Sequence, residues 1–218
     1  MTANNDRAQE IFRTAYENRY TWDDNFPGYT TDLQLKQGEE IYQAKVCVKE
    51  DFSVEITGIE DEKVKESLSH HMRDIVTHRK RSSFENTHGK NSFSLGETDD
   101  TGAIEIFVKG DSMGSNYRVR GKEICQVSRV MGPMAFTIDT AKSLDTGSGY
   151  ISIGYSAIFR DSKTNELKGK REFQETYEKF GNYYLPTKQI IEAIDKEGQK
   201  TPIEFNFTNI QLLELAVI

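Results

Sequence analysis

The chain has 218 residues, enough for one medium domain with a real core. Its 35 acidic residues outweigh 28 basic ones, and the net charge of −7 argues for a soluble protein and against a general nucleic-acid binder, which needs positive charge facing phosphates. No apolar run approaches the roughly 20 residues of a membrane-spanning helix, and 12 Phe and 10 Tyr against four Pro favour an aromatic-rich sheet over a disordered chain.

The first residues carry neither a basic start nor an apolar core, so no secretory signal is visible and a cytoplasmic location is expected. Ala8, Ile11, Phe12, Ala15 and Tyr16 then recur at helical spacing and predict an amphipathic helix. The segment Trp22-Asp-Asp-Asn-Phe-Pro-Gly-Tyr29 follows, with turn residues and the single Trp of the protein. Two readings stand for Trp22, Phe26 and Tyr29: a packed helix-to-sheet corner, or an aromatic rim at the mouth of a cavity. Alternation over 29–35, 41–48 and 52–56 predicts three strands joined by hairpins, with Leu33 on the face of Tyr29.

A second helix is predicted from Glu60-Asp61-Glu62 to Arg79-Lys80-Arg81, with acid at its start and base at its end, as the helix dipole favours. Val64, Leu68, Met72, Ile75 and Val76 form its apolar stripe. All four histidines, His70, His71, His78 and His88, fall in one window with several basic residues. His70 and His78 stand two turns apart, too far for one ion on a straight helix, so no metal site is assigned. The basic end, Arg79, Lys80 and Arg81, is either a solvated face or a surface for an acidic partner protein.

Residues 84–102 read as a polar loop with one short strand near 91–95. A long meander follows: 103–109, 116–120, 123–130, 134–140, 149–160 and 168–180, then 183–195 and 202–213. The glycine-bounded break at 110–114 lacks the Lys of a phosphate loop and reads as a hairpin turn. Cys47 and Cys125 lie in strand-like alternations and read as small buried hydrophobes. The expected fold is α+β: a single domain over 1–218 with a strongly curved antiparallel sheet, an unclosed barrel of about ten strands, and two helices on its concave side. Within it, Tyr155 and Phe159 share the parity of Ile151 and Ile153 and line one face.

Three segments carry a resemblance: Trp22 to Tyr29, Arg120-Gly-Lys-Glu-Ile-Cys-Gln-Val-Ser-Arg-Val-Met131, and Phe173-Gln-Glu-Thr-Tyr-Glu-Lys-Phe-Gly-Asn-Tyr-Tyr-Leu-Pro186. They resemble a family of this length from cyanobacteria and plants that has no assigned activity. The order of elements also resembles the bacterial lipoprotein carriers of the LolA/LolB type. That resemblance implies a carrier or sensor of a lipid- or pigment-like molecule, although the visible chain lacks the periplasmic carriers' signal peptide. No catalytic motif, cofactor signature or metal cluster emerges. The expectation is a non-catalytic protein holding a hydrophobic ligand, lined by Trp22, Phe26, Tyr29, Leu33, Met72, Tyr155 and Phe159. The alternatives are an assembly factor using the basic helix end, and an enzyme with an unmarked site at His71 or His78.

Overall fold

A computed structural model describes residues 2–110 and 115–214. The expected turn at 110–114 falls largely outside them. The elements run α1 (Thr2–Glu17), β1 (Gly28–Gln37), β2 (Glu40–Lys49), β3 (Val54–Thr57), α2 (Glu62–Arg79), α3 (Phe84–His88), β4 (Ser92–Thr98), β5 (Ile104–Lys109), β6 (Ser115–Arg120), β7 (Glu123–Met131), β8 (Met134–Asp145), β9 (Tyr150–Asp161), β10 (Leu167–Phe180), β11 (Tyr183–Ile194) and β12 (Lys200–Leu212). The hydrogen-bonded order is β3-β2-β1-β12-β11-β10-β9-β8-β7-β6-β5-β4, so β3 and β4 end an unclosed sheet.

Among the described residues, twelve strands and three helices thus stand where the sequence predicts about ten and two. The added helix, α3, lies in the stretch read as a loop. Ser83 caps it by accepting a hydrogen bond from the Asn86 backbone N–H, and Phe84 and His88 are its buried side chains. The strand expected near 91–95 is β4.

The chain divides into two compact units. Unit 1 comprises Met1–Tyr20, Ser82–Phe173 and Ala193–Lys200. Its core forms where α1 lays Ala8, Phe12, Ala15 and Tyr16 on Phe84, Phe93, Ile106, Val108, Tyr117 and Val119. Phe12 is the hub, with ring centroids 4.6 Å from Tyr117, 4.9 Å from His88 and 5.4 Å from Phe93. The exit of α1 is tied to β9: the Tyr150 N–H donates to the Asn18 carbonyl, and the Tyr20 N–H to the Tyr150 carbonyl, each at 2.9 Å. Gly149 makes this approach possible. A Cβ there would stand 2.7 Å from the Asn18 carbonyl oxygen, on a backbone at φ 140°.

Unit 2 comprises Thr21–Arg81, Gln174–Glu192 and Thr201–Ile218. The α2 helix starts at Asp61, whose carboxylate accepts from the Lys63 and Val64 N–H groups. Its stripe of Leu68, Met72, Ile75 and Val76 is buried, as the periodicity predicts. Leu33, Leu35, Phe205 and Phe207 are buried on the strands of the same unit. Phe52, in the β2–β3 turn, holds a left-handed backbone at φ 69°, unusual for an aromatic residue. Its ring joins the Trp22–Phe26 stack, with centroids 5.8 Å from Phe26, and Lys80 lies over it at 5.3 Å.

Candidate functional site

Unit 2 gathers most of the residues that the sequence assigns to a ligand. Trp22 and Phe26 stack at 4.2 Å with planes 12° apart, and Tyr29 meets Trp22 edge-on at 6.0 Å. The indole Nε1 donates to the Tyr184 carbonyl, and the Trp22 N–H donates to the Arg79 carbonyl at 2.7 Å, tying the corner to the end of α2. Trp22, Tyr29 and Met72 are wholly buried, and Phe26 and Leu33 nearly so. Trp22, Phe26 and Tyr29 fill space against one another, as in the packed-corner reading, and Leu33 and Met72 are buried in the same unit.

A chain of polar groups runs through the same unit. Arg79 is buried, and its Nη2 donates to the Tyr177 hydroxyl at 3.3 Å. Tyr177 donates to Glu175 at 2.9 Å, and the Gln189 amide donates to the other Glu175 oxygen at 2.6 Å. His71, near Gln189, lies flat on Phe205 with centroids 3.9 Å apart. Burial holds its pKa down at about 4, with Gln189 opposing weakly. Burial pushes the Tyr29 and Tyr177 hydroxyls up. Among the described residues, the Tyr29 hydroxyl has no hydrogen-bond partner. Of the basic trio at the helix end, Arg79 therefore turns inward, while Lys80 and Arg81 remain exposed.

The four histidines disperse. His70 is exposed and bonds the Glu66 carbonyl; His78 is exposed; His71 is half-buried in unit 2, and His88 is buried in unit 1. Among the described residues, no group of three or more His, Cys, Asp or Glu is placed to hold a metal ion. Cys47 and Cys125 are half-buried free thiols, and burial pushes Cys125 up.

Tyr155 and Phe159 belong to unit 1, where the setting differs. Cross-strand pairing fixes which residues share a face. Tyr117 pairs with Val127, Val127 with Ile138, and Ile138 with Ala157, so one row runs from the core under α1 across β6 to β9. The next row pairs Arg129 with Phe136 and Phe136 with Phe159. The Phe136 and Phe159 rings lie 6.4 Å apart, and Tyr155 stacks on Phe173 at 4.5 Å with planes 12° apart. Arg171 lies over Phe159 at 5.5 Å. Here α1 packs on β4, β6 and β7. Farther along the face, Phe136, Ile138, Ile153, Tyr155, Phe159 and Phe173 are half-buried rather than sealed. Where β7 and β8 end, Met131 and Met134 pair with each other on this face and are exposed, while Val130, paired with Ala135, is exposed on the opposite one. The result is an apolar strip with two aromatic pairs on one face.

The sequence points to Tyr155 and Phe159 but misses Phe136, Ile138 and Phe173 beside them. A signal for the first two was present. The Gly132-Pro133 turn, with Gly132 at φ 59°, pairs Met131 with Met134 and so sets Phe136 opposite Arg129 and Ile138 opposite Val127.

The chain belongs to the family described as Protein of unknown function (DUF3386), whose pattern spans residues 3–213. This agrees with the resemblance of the three sequence segments to a family without assigned activity. No curated protein matches the chain. Among solved structures, it is similar to a LolA superfamily protein, NE2245 from Nitrosomonas europaea, at 12% identity and TM-score 0.30, over 95% of this chain and 94% of that one. It is also similar to a DUF1329 family protein from Desulfovibrio piger, at 8% identity and TM-score 0.26, over 97% and 92%. At such scores neither likeness carries an argument about this chain. No helix among the described residues is long and apolar enough to cross a membrane.

Proposed function

We propose that this protein is a non-catalytic binding protein for a lipid- or pigment-like molecule, held on the apolar strip of unit 1 around Tyr155 and Phe159. One observation carries the reading: on a single face, the Phe136–Phe159 and Tyr155–Phe173 pairs are half-buried side by side with Ile138 and Ile153. Apolar area left partly wet costs roughly 25 cal/mol per Å², and a hydrophobic ligand recovers it. Trp22, Phe26, Tyr29, Leu33 and Met72 then serve as the packed frame of unit 2, since a ligand reaching them would have to displace side chains already in contact. Titration with an environment-sensitive apolar dye tests the reading. Saturable binding that weakens in Tyr155→Ser and Phe159→Ser, with circular dichroism unchanged, supports it. Binding that neither substitution alters would count against this face.

A further inference from the structure

Two arginines stand at the border between the α1 core and the apolar strip. Arg129, on β7, is paired across strands with Phe136, the first aromatic of the strip. Its Nη2 donates to the Tyr117 hydroxyl at 2.6 Å, its guanidinium lies over the Tyr117 ring at 5.7 Å, and its Nε is buried with no hydrogen-bond partner among the described residues. Arg19, just past α1, donates from Nε to the Tyr16 carbonyl at 2.9 Å and stacks on the Tyr16 ring at 3.8 Å.

One aromatic group links the two. Tyr16 meets His88 edge-on at 4.9 Å, His88 meets Phe12 at 4.9 Å, and Phe12 meets Tyr117 at 4.6 Å. Both guanidiniums are near enough to His88 to help burial hold its pKa down at about 4.

Among the described residues, neither arginine has a carboxylate within ion-pair distance. Three of the acids of this unit are engaged elsewhere, while Glu123, which shares the Tyr150 hydroxyl's surroundings with Arg19, makes no ion pair among the described residues. Glu17 and Glu85 both pair with Arg13, and Asp99 pairs with Arg118. In a chain where acidic residues outnumber basic ones by 35 to 28, two half-buried guanidiniums on one aromatic group with no ion pair among the described residues are conspicuous. Burying like charges together is costly, and an oxyanion relieves that cost through charge-assisted hydrogen bonds to the remaining N–H donors. The hydrocarbon surface begins one residue pair away, at Phe136 and Phe159.

We propose that Arg19 and Arg129 bind the anionic headgroup of an amphiphile whose hydrocarbon lies along the Phe136–Phe159 strip. This rests on the ligand-binding reading above and narrows it to one chemistry, a phosphate- or carboxylate-headed chain.

Calorimetric titration of the full chain with dodecyl phosphate, dodecanol and inorganic phosphate tests it, the amphiphiles being kept below their aggregation limit. The wild type is expected to bind dodecyl phosphate roughly ten- to a hundredfold more tightly than dodecanol, the range for charge-assisted hydrogen bonds. In R19Q/R129Q that preference should vanish while dodecanol binding stays. R19K/R129K should restore part of it, and the single R19Q keeps the comparison possible if the double variant does not fold. Equal wild-type affinity for dodecyl phosphate and dodecanol would overturn the headgroup assignment while leaving the apolar-ligand reading intact. Binding of inorganic phosphate with neither amphiphile would overturn the amphiphile and the proposed function, leaving only an anion site. Binding of none of the three would overturn both proposals.

Discussion

Phe136 on β8 and Phe159 on β9 stand directly opposite each other on one face of the sheet, 6.4 Å between ring centroids, and both are half-buried. A cross-strand aromatic pair contributes about 0.2–1 kcal/mol to its hairpin. That is little for so much ring surface left partly wet, and it is why the proposed ligand is placed on this pair. Trp22 and Phe26 are the contrast: stacked, buried, and tied to the end of α2.

Trp22→Ala should therefore cost about 3–5 kcal/mol of stability, the usual range for emptying a large aromatic site. Urea unfolding measures this. Because Trp22 is the sole indole and wholly buried, native emission should be blue-shifted and poorly quenched by acrylamide.

The basic helix end separates by charge reversal. Arg79→Glu places a carboxylate beside Tyr177 and Glu175 in a buried setting, and should lose about 3–5 kcal/mol. Arg81→Glu, on an exposed side chain, should change stability by no more than about 0.5 kcal/mol. Equal effects in denaturant titrations would contradict the inward placement of Arg79. A loss of acidic-partner capture in Arg81→Glu alone would revive the assembly reading of this surface.

Acid should weaken the fold through two histidines. His71 and His88 both stay neutral in the native state until about pH 4, whereas the unfolded chain takes up protons near 6.5. Their contribution is present in full above about pH 6.5 and is lost as the pH falls towards 4. For His71 it is on the order of 3 kcal/mol. His71→Phe keeps a ring on Phe205 and cannot titrate, so its unfolding midpoint should fall less steeply over that window. A slope equal to the wild type's would show that His71 is not buried neutral.

Gly149→Ala should destabilise the protein by more than about 1 kcal/mol, since it adds a Cβ against the Asn18 carbonyl on a backbone that disfavours side chains. The same change at Gly132, whose added Cβ meets nothing within 4 Å, carries only the strain of its positive φ and should cost less. Thermal melts of the two variants compare them.

The strands were legible because alternation and Gly- or Asn-rich turns mark them, and α2 because Asp61 and Arg79 bracket a clean apolar stripe. The five residues of α3 are too few to display a helical period, so its Ser83 cap passed for loop chemistry. The candidate strip was half legible. Parity placed Tyr155 with Phe159, and the tight turn after Met131 could have placed Phe136. The β8–β9 register could not be read, because it shifts around Lys142 at irregularities without a sequence mark. The histidine window misled in another way: closeness in sequence said nothing of His71 lying on Phe205 in one unit while His88 enters the core of the other.

Native mass spectrometry of the freshly purified protein, beside a Phe136→Ser/Phe159→Ser variant checked for native circular dichroism, bears most directly on the ligand strip. The expected result is an apolar adduct on the wild type, recoverable by solvent extraction and lost in the variant. A wild type that carries no adduct and takes up no amphiphile offered to it, or a variant that retains the adduct in full, would contradict a binding role for this face.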